Sequence, residues 1–280
     1  MLKLPCLGEQ MKPRFIHLII SPSIVVLFSL SLSAQQSAQL SSSSTSTVST
    51  PGIPPTGFPG LDQYRASRIA MFTDDYGQLA RYRDANAALA APTAGENRVV
   101  FFGDSITDIW KLADYFPGKP YVNRGIGGQT TPQMLVRFRQ DVIDLHPKVV
   151  VILAGTNDIA GNTGPIRNED IESDLASMAD LARANGIRVV FSSLLPVHNY
   201  TERSKDFFAQ RPPARIQQLN DWLKQYCVKN KIAYLDYLTA MVDDKGLLKK
   251  DLADDGLHPN DAGYKIMVPL AEAAIAKAIK

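Results

Sequence analysis

A serine, a histidine and a few glycines and amides in this sequence have the types and spacing that acyl-transfer chemistry needs. Ser105 follows Gly103-Asp104 after the apolar run RVVFF (98–102). A glycine there permits a tight strand-to-helix turn, and the hydroxyl projects at the carboxyl edge of a sheet as in a nucleophile elbow, although the G-x-S-x-G pattern itself is absent. Asp255 and His258, in DDGLHPN (254–260), stand three positions apart. That spacing brings both side chains to one side of a single turn, where the carboxylate can hold the imidazole in one tautomer. The glycines of NRGIGGQTT (123–131) let backbone N–H groups approach an oxyanion. GTND (155–158) carries a side-chain amide donor, Asn157, to the same edge.

Each segment also has a plainer reading. Ser105 or Thr107 can cap a helix, the glycines can form an ordinary turn, and Asn157 can be a turn residue. Asn260 can cap the last helix, with the acidic residues complementing its dipole. A phosphate loop is a poor fit to 123–131, because no lysine follows the glycines and no acidic residue is placed for a ribose. What favours chemistry is the coincidence: four such segments close four strands in an order that supplies nucleophile, oxyanion donors and an acid/base pair.

The elements that must position these groups are continuous apolar runs of the kind that buried parallel strands show: 98–102, 148–153, 188–191 and 232–235, with 121–123 as a shorter fifth. Helical periodicity lies between them at 132–145, 168–184 (Ile171, Leu175, Met178 and Ala182 on one stripe) and 214–229, and again after Asn260, where Pro269 predicts a bend. Strand–helix alternation with right-handed crossovers predicts a three-layer α/β/α sandwich around a mostly parallel five-stranded sheet. Ligands of such sheets bind beyond the carboxyl ends of the strands. Residues 61–95 read as an N-terminal helical extension of this domain (61–280).

In their order and residue types, GDS at 103–105, GIGGQTT at 125–131, GTND at 155–158 and D-x-x-H at 255–258 resemble the four blocks of the SGNH, or GDSL, hydrolase superfamily. The likeness runs over 98–279 and is nearest the branch with the platelet-activating-factor acetylhydrolase catalytic subunits and bacterial secreted esterases. It implies a flavodoxin-like sheet, Ser105 as nucleophile, His258 as base and Asp255 orienting it. It also implies an oxyanion hole made by the backbone amides of Ser105 and Gly128 and the side chain of Asn157, and an ester hydrolase that needs no metal or cofactor. Ile106 replaces the leucine of the family's popular name, and Gln129 stands where many members have an acidic residue, which leaves the support of the oxyanion loop to be found.

Composition agrees with an enzyme domain. The 280 residues are 45% hydrophobic and 21% charged. The two cysteines, Cys6 and Cys227, belong to no C-x-x-C or Cys/His cluster. Beyond residue 34 the chain holds 27 basic and 27 acidic residues, which argues against nucleic acid or an anionic membrane as partner. Residues 1–34 read as an export signal, with Lys12 and Arg14 before an apolar stretch from 15 to 32 and Met11 as an alternative start; an uncleaved membrane anchor is the other reading. Cys6 has no apolar stretch before it, so it is not read as a lipoprotein site. Residues 35–60, uncharged and with 18 of 26 positions Ser, Thr, Pro or Gly, read as a disordered linker.

Two other functions compete. A metal-dependent phosphoesterase would use Asp104, Asp108, Asp158, Asp255 and Asp261, but lacks the histidines of a dinuclear site. A non-catalytic glycan-binding protein would have no use for Ser105, Asp255 and His258 together. Of the remaining histidines, His17 falls in the signal, His146 is expected to cap the end of a helix, and His198 reads as a loop residue without catalytic duty. The stretch 196–213, with Tyr200, Phe207 and Phe208 among charged residues, is the candidate for shaping specificity. Its polarity points to short acyl groups, acetyl above all, on a carbohydrate or other small ester; Phe207 and Phe208 keep open the alternative of a lipase or lysophospholipase acting on longer acyl chains.

Overall fold

The computed structural model describes residues 55–280. The segment read as an export signal (1–34) and most of the expected linker (35–54) lie outside the described residues. Strands β1 (Val99–Gly103), β2 (Tyr121–Gly125), β3 (Val149–Leu153), β4 (Arg188–Ser192) and β5 (Ala233–Leu235) form one sheet in the order β2-β1-β3-β4-β5, parallel throughout. This is the doubly wound order whose switch point lies between β1 and β3. The register decides where the site can be: Gly103 of β1 pairs with Gly125 of β2 and Leu153 of β3. Three strands therefore end at one level, and the segments that follow them emerge side by side.

Both faces of the sheet are dry. Val100, Phe102, Val150, Ile152 and Phe191 pack against α5 (Thr131–Asp141), α7 (Asn168–Ala184) and α9 (Pro213–Asn230) through residues such as Phe138, Leu175 and Leu219. The alternate residues Val99, Phe101, Val149, Val151 and Val190 meet Trp110, Phe116, Tyr264, Met267 and Ile275. The last three belong to α11 (Asp261–Ile279). Two short helices, α4 (Leu112–Tyr115) and α10 (Leu238–Met241), add Leu112 and Met241 to this second core. Period-2 alternation thus serves two cores, each large side chain contributing about 1.5–3 kcal/mol by leaving water.

Helix boundaries follow local chemistry. In α7, Glu169 and Asp170 complement the first turn and Arg183 the last, over a stripe of Ile171, Leu175, Met178 and Ala182 that is fully buried. The α5 segment is shorter than its periodicity suggested. It stops at Asp141, a 3₁₀ turn covers Ile143–Leu145, and His146 closes that turn through its backbone N–H to the Ile143 carbonyl at φ 50, rather than by imidazole capping. Helix α11 runs through Pro269, which lies on its exposed side. Helical structure begins before residue 60, the expected end of the linker. Helix α1 (Pro59–Asp74) begins with Pro59, in a position that suits proline, and the Thr56 N–H donates to Asp62 Oδ1 (3.0 Å), so residues 56–60 belong to the helix start. With α2 (Arg83–Ala88), α1 forms the expected N-terminal extension.

Candidate active site

After β1 the chain turns into α3 (Ser105–Asp108), a single turn capped by Asp104, whose Oδ1 accepts the Ile106 N–H at 3.0 Å. Neither Ser105 nor Thr107 is the cap, so Ser105 Oγ is left for another partner. That partner is His258 Nε2 at 2.9 Å, and His258 Nδ1 lies 2.8 Å from Asp255 Oδ2. The other carboxylate oxygen, Oδ1, accepts the N–H groups of Leu257 (3.0 Å) and His258 (2.8 Å). Burial opposes the Asp255 charge, but these hydrogen bonds and the neighbouring imidazole outweigh it and hold the carboxyl well below the usual range. Both readings of 254–260 hold together, since Asn260 does cap α11 by accepting the Gly263 N–H at 3.1 Å.

The glycine loop after β2 lies against this group. A Cβ on Gly125 would strike the backbone of Asp108, and a Cβ on Gly127 would sit 3.8 Å from that of Ser105. Gly128 adopts φ 80, a left-handed conformation that costs other residues strain. Its carbonyl accepts Asn162 Nδ2 at 2.9 Å, and the preceding N–H, of Gly127, donates to Asp108 Oδ2 at 3.0 Å. Asn157, on α6 (Thr156–Ala160) after β3, donates one Nδ2 proton to the Gln129 carbonyl at 3.1 Å and keeps a second proton. Because α3 begins at Ser105, that residue's N–H has no intrahelical acceptor. The structure thus joins Ser105, Asp255 and His258 in one hydrogen-bonded chain and gathers Gly128 and Asn157 around the loop beside it.

Gln129 is the departure from the family pattern, and the structure gives it a job. Fully buried, it donates to the Gly77 carbonyl (3.0 Å) and accepts from Arg137 Nε (2.6 Å). Arg137, also fully buried, reaches the carbonyls of Arg124 (2.9 Å) and Gly103 (3.1 Å) and pairs with Asp141 at 3.0 Å. Burial lowers its pKa to about 10, so it stays charged. One guanidinium fastens the ends of β1 and β2 and the glycine loop.

The carboxylates proposed as metal ligands have separate duties. Asp104 caps α3, and burial raises its pKa to about 6. Asp158 accepts the N–H (2.9 Å) and hydroxyl (2.7 Å) of Thr131, with its pKa raised to about 7 by burial. Asp261 bonds Tyr115 and Lys265. Among the described residues no three His, Cys, Asp or Glu side chains are grouped to hold a metal ion.

The sequence reading missed several supports. Arg211, one of the charges that made 196–213 look polar, is buried and donates to Asn157 Oδ1 (3.1 Å) and Thr156 Oγ1 (3.1 Å). His198 is fully buried; its Nδ1 accepts the Tyr200 N–H, so Nε2 donates to the Ala253 carbonyl at 3.0 Å, and its own N–H reaches the Gly256 carbonyl. It braces the segment that carries Asp255. The N-terminal extension reaches the loop too, Tyr82 OH donating to the Gly125 carbonyl and Gln133 to that of Tyr76. An arginine and an aspartate at i, i+4 on the inner stripe of α5 were the signal for Arg137 and Asp141.

Residues 101–266 match the GDSL-like lipase/acylhydrolase family. A solved GDSL-like lipase from Bacteroides thetaiotaomicron is 43% identical, with a TM-score of 0.67, over 72% of this chain and 99% of its own. An arylesterase of Vibrio mimicus is 24% identical over 61% of this chain and 84% of its length. The uncharacterized lipoprotein YqeF of Bacillus subtilis is 32% identical over 122 residues, 37% of this chain; the match spans half of the lipoprotein. Among the described residues no helix is long and apolar enough to cross a membrane. With the matched segment covering more than half of its length and the blocks at 103–105, 125–131, 155–158 and 255–258 meeting at one sheet edge, the chain belongs to the GDSL-like lipase/acylhydrolase family of the SGNH superfamily, a family of carboxylic ester hydrolases.

Proposed function

We propose that this chain is an exported serine esterase that removes short acyl groups, acetyl above all, from a carbohydrate or other small polar ester. The observation that carries the catalytic part is the 2.9 Å approach of Ser105 Oγ to His258 Nε2, with Asp255 2.8 Å from the far ring nitrogen. A serine hydroxyl is a weak nucleophile at neutral pH, so His258 takes its proton as Oγ attacks the carbonyl carbon. Asp255, accepting from Nδ1–H, leaves Nε2 with its lone pair toward Ser105 and stabilises the imidazolium that forms. The tetrahedral oxyanion is met by the N–H groups of Ser105 and Gly128 and the second Nδ2 proton of Asn157. Each such donor is worth roughly 3–4 kcal/mol in the transition state. His258 then protonates the leaving alkoxide, and water repeats the cycle on the acyl-enzyme.

The acyl preference rests on polarity. The 196–213 segment presents the Glu202–Lys205 pair (2.6 Å) to solvent, and the His258 and Asp255 side chains keep 26% and 12% of their surface exposed, an open site suited to a hydrated substrate. Export rests on the apolar stretch at 15–32 behind Lys12 and Arg14, with the spacer that follows it. A second reading, a longer acyl chain, is favoured by one observation: a groove of about 630 Å³ lined by apolar residues including Leu61, Ile69, Phe72 and Ile159 passes Asn162, which holds the Gly128 carbonyl.

A fluorophosphonate followed by peptide mass spectrometry tests the core of the proposal. A single adduct on Ser105, together with loss of p-nitrophenyl acetate turnover in Ser105→Ala, is expected. An adduct elsewhere, or full turnover without Ser105, would end it.

A further inference from the structure

We infer that Arg211 is a positioning residue for ester hydrolysis, fixing which way the Asn157 amide faces and thereby aiming its free N–H at the oxyanion. The inference rests on the esterase reading and goes beyond it, because Arg211 belongs to none of the four blocks and sits 54 residues after Asn157.

A primary amide can rotate by 180° and exchange its oxygen for its nitrogen at almost no steric cost. An asparagine that is to donate in the transition state must therefore be held against that flip. Here it is held from both ends. Arg211, at the end of α8 (Lys205–Gln210), is 3% exposed and can only donate, and its Nη2 lies 3.1 Å from Asn157 Oδ1. The Gln129 carbonyl can only accept, and lies 3.1 Å from Asn157 Nδ2. Either contact alone names the oxygen and the nitrogen; together they also set the amide plane, so the second Nδ2 proton has one direction left.

The arginine is itself constrained. Nε donates to Thr156 Oγ1 at 3.1 Å, Nη1 to the Phe207 carbonyl at 3.4 Å, and the guanidinium lies over the Phe207 ring at 5.5 Å. Phe207 in turn packs edge-on against His258 at 6.1 Å. The Phe207 ring thus holds the guanidinium from its face while Thr156 and Asn157 take its fork. A cation on Oδ1 also draws electron density from the amide, which strengthens the remaining N–H as a donor. Lysine cannot do this: an ammonium has no planar fork to reach Thr156 and Asn157 at once. It does keep the positive charge that faces the buried Asp104 and Asp255.

The experiment is a double-mutant cycle on p-nitrophenyl acetate with Arg211→Lys, Arg211→Met, Asn157→Ala and each combined with Asn157→Ala. Values of kcat are referred to active sites counted by fluorophosphonate titration, so misfolded protein does not enter the ratio. Arg211→Lys is expected to lower kcat by about 10- to 100-fold with KM within about threefold, and Arg211→Met by at least as much. In the Asn157→Ala background either change should cost less than about threefold, because its target is gone. A multiplicative effect in the double variants, or wild-type kcat in Arg211→Lys, would overturn the inference while Asn157→Ala remained defective. Wild-type kcat in Asn157→Ala itself would remove the donor from the esterase reading, and this inference with it.

Discussion

Replacing Asp255 by asparagine changes one atom, and the hydrogen bonds around that atom determine the consequence for the imidazole. The carboxylate accepts three N–H groups: those of Leu257 and His258 at Oδ1 (3.0 and 2.8 Å) and the imidazole at Oδ2 (2.8 Å). An asparagine has a single oxygen. Facing the two backbone N–H groups, it turns its NH₂ to His258 Nδ1, which must then accept, so the ring proton moves to Nε2 and points at Ser105. A protonated Nε2 cannot take the serine proton. In the flipped orientation the NH₂ faces two backbone donors within a turn that is largely buried, and each unsatisfied group costs about 1–3 kcal/mol. The first orientation is therefore favoured, and Asp255→Asn should lower kcat on p-nitrophenyl acetate by about 10⁴, or roughly 5.4 kcal/mol of activation free energy, with little change in KM. The acid limb of thermal stability should also flatten. The Asp255 pKa is depressed by folding, so it contributes stability above the unfolded carboxylate range that is lost as pH falls below about 4, and the amide has no such loss. A variant within tenfold of wild-type kcat would refute the tautomer argument.

Three further outcomes are expected. Asn157→Ala should lower kcat by about 100-fold or more with KM nearly unchanged, because its free N–H meets charge that exists only in the transition state; a defect confined to KM would contradict this. Asp158 has a pKa raised to about 7 in the fold, so stability falls as pH climbs from about 4 to 7; in Asp158→Asn, melting temperatures should fall less steeply between pH 5 and 6, where Asp104 still contributes, and lose the Asp158 slope between pH 6 and 7, and an unchanged slope would be decisive against it. Across p-nitrophenyl esters from acetate to palmitate, kcat/KM should peak at four carbons or fewer, and a peak at eight or more would move the assignment to the apolar groove and a longer acyl chain.

What the sequence revealed and what it hid divide along a physical line. Strands such as 149–153 were legible because burial on both faces demands continuous β-branched and apolar residues. The meeting of the candidate site residues was legible because parallel strands ending in register bring distant blocks together, and each block carries a residue type that a plain turn does not require. The supports were hidden because side-chain networks have no period. Arg211 read as one more charge on a loop, and nothing local distinguishes it from Arg203, which is exposed. His198 likewise looked idle, since its acceptor and donor contacts lie at Tyr200 and Ala253, the latter 55 positions away. Gln129 raised a question that only the Arg137 contact answers.

These supports share a cost that explains their placement. The buried Arg137–Asp141 pair is a weak source of net stability, since an apolar pair of similar volume would commonly serve as well or better. It sits where Arg137 can bond the carbonyls of Gly103 and Arg124 and the side chain of Gln129, all within a few residues of Ser105 and Gly128. Thr131 makes the same point. Its one hydroxyl proton lies between Asp158 Oδ1 (2.7 Å) and Asp174 Oδ2 (3.0 Å), and it can satisfy both only if one carboxyl keeps a proton of its own. Desolvated charges that strain the fold are thus concentrated where the segments after β1, β2 and β3 must hold one geometry. The apolar side chains on the two faces of the sheet supply the stability that lets the proposed oxyanion donors be fixed before the substrate arrives.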